Sequence, residues 1–377
     1  MASSTISYLW RDPKAPQGYR TGVSLHSHTN QSHETLDFLA NFGNQYPWMR
    51  PLLARLEQRS ERMHGVRIDY ANSYWTPPMT PKLAFDLETR QIEKLALAPM
   101  VSITDHDNIK APMLLRTVPS ARQIPVAVEW TAPYGNQSFH LGIHNLPSTK
   151  ATEWMDTLSS YTANPSDKSF TEILRALHDE PNVLVVFNHP LWDLYLIGQE
   201  KHEFLLKNGN YLHALELNGL RNWDENRAVW RLAEQWNMLL ISGGDRHGVE
   251  PNANINLTNA ATFTEFVHEI RREKKSAMLF MPQYAQPWKH RILQSTIDAI
   301  RHYPEFPLGS RTWDERVYHP DASGVVRPLS ELWPKGAPPI AISWLLGIVQ
   351  LMGAAPVSGG LRLAWNQDRD LRMALGE

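Results

Sequence analysis

Two histidines near the start of the chain, His26 and His28, have the spacing of a metal-binding pair. They end a short apolar run that is typical of a β-strand, and residues two apart on a strand point to the same face. Two imidazoles aimed at one point can hold a metal ion. His33 and Glu34 follow shortly afterwards. Because such a pair often arises by chance, the decisive question is whether later strands end in matching ligands.

Later segments of the chain also end in residues that commonly bind metals. The residues that follow or end apolar runs in this way are Asp105, His106, Glu129, His140, His144, His189, Asp245 and His247. One such histidine is more often a core or surface residue than a ligand. Burying so many ionisable groups without partners would cost several kcal/mol for each, whereas a cation satisfies them. The pattern therefore predicts a centre with more than one metal ion.

The elements that must position these residues alternate between strand-like and helix-like patterns over about the first 280 residues, which favours an α/β fold with a mainly parallel sheet. The strand candidates are residues 22–28, 100–104, 124–129, 139–143, 183–187, 214–217, 239–242 and 277–280. The helical patterns are residues 83–97, 169–179, 225–236 and 264–275. Sites in such folds form at the C-terminal ends of strands, where the candidate ligands lie.

Two parts of the chain depart from this alternation. Residues 41–81 form an insertion after the first strand. Residues 282–377 form a C-terminal extension, mostly helix and loop, beyond a domain of residues 1–281. Within the extension, an apolar stretch over residues 339–357 approaches the length of a membrane span. Its prolines, glycines and polar residues favour a buried or interface helix instead, and it is a candidate contact for a homo-oligomer.

Composition excludes several classes of function. The 377 residues include 37 lysines and arginines against 39 aspartates and glutamates, so the net charge is −2 and no stable nucleic-acid track is expected. The absence of cysteine excludes disulfides and thiolate metal sites. The first residues show no apolar segment typical of a signal peptide, so we expect a cytoplasmic protein that does not span a membrane.

The order of these motifs resembles that of the PHP (polymerase and histidinol phosphatase) family. The motifs are His26-Ser27-His28, Thr104-Asp105-His106, Glu129, Asn188-His189-Pro190 and Gly244-Asp245-Arg246-His247. The resemblance covers residues 22–280. It implies a distorted (β/α)7 TIM-like barrel, up to three metal ions and the hydrolysis of phosphoesters.

The resemblance also implies which residues hold each ion. The implied ligands are His26, His28, Glu129 and Asp245 for the first ion; Glu129 as a bridge, His140 and His189 for the second; and His33, His106 and His247 for the third. The family usually has an aspartate at position 33, so Glu34 is an alternative to His33, and His144 is an alternative to His140. A nitrogen-rich set with carboxylates favours two or three divalent ions of zinc, manganese or iron.

These ligands predict hydrolysis of a phosphate ester of a small molecule or nucleotide by a metal-bridging hydroxide. Asp105 and Arg246 are the candidate catalytic residues, the first orienting a ligand imidazole and the second contacting phosphate. Arg221 is a second candidate phosphate contact. Trp130 and Trp192 are candidate contacts for a ring-bearing substrate, with packing at the barrel rim as the alternative.

Two other activities compete with this interpretation. One is an amidohydrolase-type barrel that cleaves C–N or C–O bonds, which usually has a bridging lysine on a middle strand. No lysine stands at a candidate middle-strand end here. The other is a nuclease that acts on short nucleic-acid ends, which the nearly neutral charge does not exclude.

Overall fold

The computed structural model describes residues 3–36, 50–65, 68–70, 72–135, 137–191, 199–333 and 340–365. The strands are β1 (Ser3–Tyr8), β2 (Thr21–Ser24), β3 (Glu34–Thr35), β4 (Tyr74–Trp75), β5 (Ala98–Val101), β6 (Val126–Tyr134), β7 (Gln137–Leu146), β8 (Leu184–Phe187), β9 (Ala214–Asn218), β10 (Leu239–Gly243), β11 (Asn254–Thr258), β12 (Lys275–Phe280), β13 (Val317–Pro320) and β14 (Val326–Pro328). The α-helices are α1 (Arg50–His64), α2 (Pro81–Glu93), α3 (Lys110–Leu115), α4 (Ala151–Ala163), α5 (Asp167–Asp179), α6 (Gln199–Asn208), α7 (Trp223–Trp236), α8 (Phe263–His268), α9 (Trp288–Ile300), α10 (Leu329–Leu332), α11 (Ile340–Gly353) and α12 (Ala355–Ala364).

Ten of these strands form two five-stranded sheets, in the orders β1-β12-β11-β2-β5 and β10-β9-β8-β7-β6. In the second sheet β8, β9 and β10 are parallel, whereas β7 is antiparallel to both neighbours. The link between β6 and β7 is too short for the crossover that parallel strands need, and Gly135 begins it with a φ of 60°. The reversal brings the start of β7 to the same end as the C-termini of the parallel strands.

The structure confirms a mixed α/β protein, and each predicted strand overlaps an observed one. The strand pairings of the described residues form open sheets and do not close into a barrel, so the predicted distorted (β/α)7 TIM-like barrel is not confirmed. Instead, single bridges join the two sheets, one between Ser27 and Arg246 and the other between His106 and Glu129. Both bridges include or adjoin predicted ligands, so the two sheets contact each other at the candidate site.

The outer face of the second sheet packs on helices and forms the largest apolar core. Trp130 of β6 is 1% exposed, and its ring stacks on Phe170 of α5 with a centroid separation of 5.6 Å. Ser166 caps α5 by accepting a hydrogen bond from the Ser169 amide, which satisfies one of the free donors at the helix start. Neighbouring residues of a strand point to opposite faces of the sheet. Trp130 points to the face that the helices cover, so Glu129 points to the opposite face.

A four-stranded sheet, β14-β13-β4-β3, joins the segment after the first histidines to the C-terminal extension. Glu34 of β3 pairs with Trp75 of β4, and Trp75 pairs with Val317 of β13. The extension therefore contains strands as well as the predicted helix and loop. Through β4, its strands are joined to Glu34.

The apolar helix α11 is exposed rather than buried within the described chain. Trp344 and Leu351 are 70% and 62% exposed. None of the described helices is by itself long and apolar enough to cross a membrane, although the bent pair Leu346–Gly353 and Ala355–Ala364 meets the length and composition together. A contact between copies of the chain at α11 stays a prediction.

Candidate metal centre

Glu129 lies at the middle of a buried cluster of imidazole rings. Its Oε2 atom lies 2.9 Å from His26 Nε2, 3.2 Å from His28 Nε2 and 3.3 Å from His106 Nε2. Its Oε1 atom lies 3.2 Å from His189 Nε2. His26 and His28 follow β2, His106 follows β5 and His189 follows β8, so the sheet contact described above brings together candidate ligands that are far apart in sequence.

His140, rather than His144, completes this part of the cluster. His140 Nδ1 lies 3.4 Å from Glu129 Oε1. His144 lies four residues further along the antiparallel strand β7, and its Nδ1 is 2.8 Å from Ser102 Oγ, away from the cluster. The reversed direction of β7 explains the difference, because the first part of that strand lies at the site.

Asp245 supplies a second carboxylate with its two oxygens in different roles. Oδ1 lies 3.6 Å from the Nε2 atoms of both His26 and His28 and 3.5 Å from His247 Nδ1. Oδ2 accepts hydrogen bonds from Asn218 Nδ2 at 3.3 Å and from Arg221 Nη2 at 3.2 Å. The outer oxygen is thus held in place while Oδ1 faces the histidines.

Of the neighbours His33 and Glu34, it is Glu34 that faces the cluster, where it adds a third carboxylate. Glu34 Oε2 lies 3.1 Å from His247 Nε2 and 3.3 Å from His106 Nε2, and Oε1 accepts a 2.5 Å hydrogen bond from Ser32 Oγ. His33 is exposed and stacks on Tyr74, with ring centroids 4.2 Å apart. Adjacent residues of an extended segment point to opposite sides, so only one of the two can face the cluster.

Four groups of side chains each place their ligand atoms within 4.8 Å of one another. They are His28, Glu34, His106 and His247; His26, His28 and Asp245; His26, Glu129 and His189; and His106, Glu129 and His140. The groups share members, so they lie side by side. Apart from His33, every predicted metal ligand belongs to at least one group.

The donor atoms fit a cation on two observations. Ligands about 2.1 Å from a zinc-sized ion stand roughly 3.0 to 3.4 Å apart in octahedral and tetrahedral geometry, and Glu129 Oε2 lies 2.9 to 3.3 Å from three imidazole nitrogens. His28 Nε2 is buried and makes no hydrogen bond, although Glu129 Oε2 and Asp245 Oδ1 lie within 3.6 Å. A buried nitrogen in this position gains a partner when an ion binds.

Burial and neighbouring charges oppose each other in setting the pKa values of the cluster. Burial lowers the pKa of His26, but the carboxylates of Glu129 and Glu216 raise it more, so the net pKa lies well above the usual value. For His106 burial prevails, and the pKa falls to about 3. Burial raises the pKa of Glu129, but the rings of His26 and His106 lower it by more, so the net pKa lies well below the usual value. A bound cation would compete with protons for these nitrogen and oxygen atoms.

Glu216 orients His26 from behind, a role that we did not predict from the sequence. Glu216 Oε1 lies 2.6 Å from His26 Nδ1, and Oε2 accepts hydrogen bonds of 2.9 Å from the His189 amide and from Asn218 Nδ2. A carboxylate on the outer nitrogen fixes an imidazole so that the other nitrogen faces an ion. A single glutamate within the apolar strand β9 was the available signal.

The backbone is strained at three of the candidate ligands. His26, His189 and Asp245 have positive φ values of 62°, 27° and 56°. Such conformations cost on the order of 1 to 3 kcal/mol each in a residue other than glycine, and they concentrate at functional sites. Position 243, beside the cluster, requires glycine, because a Cβ there would stand 1.6 Å from Glu216 Oε1.

The two candidate catalytic residues face away from the cluster. Asp105 accepts hydrogen bonds from the Thr29 amide at 2.5 Å and from Thr29 Oγ1 at 2.7 Å, so it anchors the loop after His28 instead of an imidazole. Arg246 is buried, with Nε 3.2 Å from Glu88 Oε1 and Nη1 donating to the Gly248 carbonyl at 2.6 Å. The structure thus gives Arg246 an internal ion pair rather than a position for phosphate.

The predicted substrate contacts have different locations. Arg221 lies beside Asp245, at the edge of the cluster. Trp130 is in the core, where Nε1 donates to Thr162 Oγ1 at 3.0 Å, so it does not contact a substrate. Trp192 lies outside the described residues. Trp75, in the predicted insertion, lies beside the cluster, because its ring centroid is 5.8 Å from that of His247.

Comparisons with known proteins add names of similar structures. No family model and no curated protein matches the chain. A solved protein from Bifidobacterium adolescentis, named as a proposed metal-dependent phosphoesterase, is 18% identical with a TM-score of 0.35, over 52% of this chain and 91% of that one. An amidohydrolase from Chromobacterium violaceum, solved with sulfate and no metal, is 16% identical with a TM-score of 0.32, over 45% and 83%.

A third similar structure is a two-domain protein from Bacteroides vulgatus, described as containing a predicted PHP-like metal-dependent phosphoesterase. It is 13% identical with a TM-score of 0.40, over 70% of this chain and 66% of that one.

Proposed function

We propose that the protein hydrolyses phosphate esters of a small molecule or nucleotide with the help of two or three divalent metal ions. The observation that carries this proposal is the spacing around Glu129, whose carboxylate oxygens lie 2.9 to 3.4 Å from five imidazole nitrogens. Adjacent groups of donors that share Glu129 suit ions placed side by side. Imidazoles with a few carboxylates are the ligands that zinc, manganese and iron prefer.

The ligand groups suggest how the ions would be held. His26, His28 and Asp245 would hold one ion, and Glu34 would join His106 and His247 at another. Glu129 Oε1, which lies 3.2 Å from His189 Nε2 and 3.4 Å from His140 Nδ1, would hold a further ion with those two rings. When bound, the ions supply the charge that ionises water near neutral pH and neutralises phosphoryl oxygens. We infer zinc, manganese or iron from the donor atoms.

The chain's own residues hold the ligands and offer a contact for the substrate. Glu216 fixes the ring of His26, and Asn218 holds the outer oxygen of Asp245. Arg221 donates to that same oxygen from the edge of the cluster. A guanidinium matches the oxygens of a phosphate group and keeps its charge at every physiological pH, so Arg221 is our candidate for binding the phosphoryl group.

The proposal is tested by metal analysis joined to a substrate panel. The purified protein is stripped with a chelator, reloaded separately with zinc, manganese or iron(II), and assayed on p-nitrophenyl phosphate, bis-p-nitrophenyl phosphate and an aryl amide. We expect hydrolysis of a phosphate ester only after reloading. Asp245→Ala should lose bound metal and fall to background activity, whereas His302→Ala, which replaces an exposed histidine outside the cluster, should match the wild type.

Two results would contradict the proposal. Full activity in the stripped protein would show that the ions are not needed. Hydrolysis of the aryl amide but of neither phosphate ester in the reloaded protein would assign the site to the amidohydrolase class instead.

A further inference from the structure

Three consecutive carbonyl groups in the loop after β9 are bonded by one helix of the C-terminal extension. Trp288 Nε1 donates to the Leu220 carbonyl at 3.2 Å. Arg291 Nη2 donates to the Arg221 carbonyl at 2.9 Å, and Arg291 Nη1 donates to the Gly219 carbonyl. Both donors belong to α9, which begins at Trp288. The loop that carries Arg221 is therefore fixed to α9 along its backbone.

Arg291 is itself held in place by the core. Its guanidinium lies over the ring of Tyr284, 4.3 Å from the ring centroid, and Tyr284 is 1% exposed. The Tyr284 hydroxyl accepts a 2.7 Å hydrogen bond from Asn226 Nδ2, and Asn226 Oδ1 accepts from the Asn218 amide at 2.8 Å. The donors of α9 are thus connected, through buried groups, to the strand end that also holds Asp245.

The arrangement has a direct consequence for an anion near Arg221. Carbonyl oxygens repel phosphate oxygens, so a loop whose carbonyls bond to α9 keeps them out of the site. The Arg221 side chain is left on the side of Asp245, where its Nη2 atom lies 3.2 Å from Oδ2. A guanidinium makes two parallel hydrogen bonds to phosphate only when its plane is correctly placed.

We propose that Arg291 and Trp288 are positioning residues, which hold the loop of Gly219, Leu220 and Arg221 so that Arg221 can bind the substrate phosphate. This inference rests on the proposed function, because it concerns the same phosphate group. It assigns a role to the extension that the ligand residues alone do not require.

The test uses the whole chain loaded with metal, together with five variants. Arg291→Lys keeps the charge but replaces the planar fork, whose two Nη atoms bond separate carbonyls, with a single ammonium group. Trp288→Phe removes a single N–H donor while keeping an aromatic ring. We measure kcat and KM for p-nitrophenyl phosphate, the inhibition constant of inorganic phosphate, and bound metal per chain. Arg327→Lys is the matched control, because Arg327 is an exposed arginine of the extension that pairs with Asp321.

For Arg291→Lys we expect KM and the phosphate inhibition constant to rise about tenfold, the loss of roughly one charge-assisted hydrogen bond. kcat should change less than KM, and bound metal should be unchanged. Arg221→Lys should give the larger effect, and the double variant Arg221→Lys/Arg291→Lys should be no worse than Arg221→Lys alone. A loop that merely supports the fold would give additive losses instead.

The outcomes separate this inference from the proposed function. If the reloaded wild type hydrolyses no phosphate ester, the proposed function fails, and phosphate binding measured by calorimetry on the same variants still tests the loop. If phosphate binding is unchanged in Arg291→Lys and Trp288→Phe, the positioning role is overturned. If Arg291→Lys does not fold, Trp288→Phe decides, since it removes only one hydrogen bond.

Discussion

Replacing Glu34 with glutamine tests which residue completes the third group of ligands. The change keeps the shape of the side chain and removes its charge and one acceptor oxygen. In the structure Oε2 lies 3.1 Å from His247 Nε2 and 3.3 Å from His106 Nε2, at the spacing of ligands on one ion. The other three groups of donors do not include Glu34, so we expect the change to affect the binding of only one metal ion.

The expected loss of affinity follows from the role of the carboxylate. Losing a partner that only orients a ligand lowers metal affinity about 10- to 100-fold. Loss of Glu34 as a direct ligand therefore predicts a drop of at least about 100-fold, or about 2.7 kcal/mol, at one position. Glu34→Gln should bind one ion fewer than the wild type at a metal concentration that just saturates the wild type, as measured by elemental analysis after dialysis.

His33→Asn is the control for this experiment. His33 is exposed and stacks on Tyr74, so the variant should keep the metal content of the wild type. If His33→Asn loses an ion while Glu34→Gln keeps all of them, the placement of Glu34 in the cluster is refuted.

Two further predictions concern the residues that face away from the cluster. Arg246→Met leaves Glu88 buried without its ion pair, which should lower the free energy of unfolding by about 3 to 5 kcal/mol in urea titrations of chelator-treated protein. Burial already raises the pKa of Glu88, and losing Arg246 raises it further. The loss of stability should therefore grow as the pH rises above the pKa of Glu88 in the unfolded chain, and it should vanish in Glu88→Gln/Arg246→Met. A loss of stability that does not depend on pH would argue against the role of this ion pair. Burial also raises the pKa of Asp105 from 3.8 to about 6 in the metal-free protein, so its charge destabilises the fold increasingly as pH rises through that interval. Asp105→Asn should therefore gain stability relative to the wild type, by up to about 3 kcal/mol, between pH 4 and pH 7, and a constant difference would contradict the assignment.

The strand ends that carry the candidate ligands could be predicted because each belongs to a short apolar run. The spacing of two also brings both His26 and His28, and both Asp245 and His247, to the cluster, although these residues lie beyond their strands and His26 and Asp245 have positive φ. Within β6, the alternation of faces separates Trp130 from Glu129. A consistent use of this rule would have removed Trp130 from the candidates, and the structure shows Arg246 paired with Glu88.

Other features depend on partners that the local sequence does not reveal. The alternation rule says that His33 and Glu34 face opposite ways, but the pairing of β3 with β4 decides which one faces inward. β1 and β11 were missed because their segments are rich in polar residues. In β11 those side chains replace missing backbone contacts, since Asn256 Oδ1 accepts from the Ser242 amide and Asn256 Nδ2 donates to the Ser242 carbonyl.

The C-terminal extension reaches the candidate site from two separate directions, which argues that it is part of the site. On one side β13 pairs with β4, and the Thr76 amide, directly after β4, donates to the Arg316 carbonyl at 2.8 Å. The buried Arg316 guanidinium in turn donates to the Ser310 carbonyl at 2.8 Å and to the Ala299 carbonyl, at the end of α9, at 2.7 Å. On the other side α9 bonds the loop of Arg221. One connected unit therefore supports both the strand that pairs with Glu34 and the loop of Arg221, so the boundary near residue 281 separates sequence patterns rather than functions.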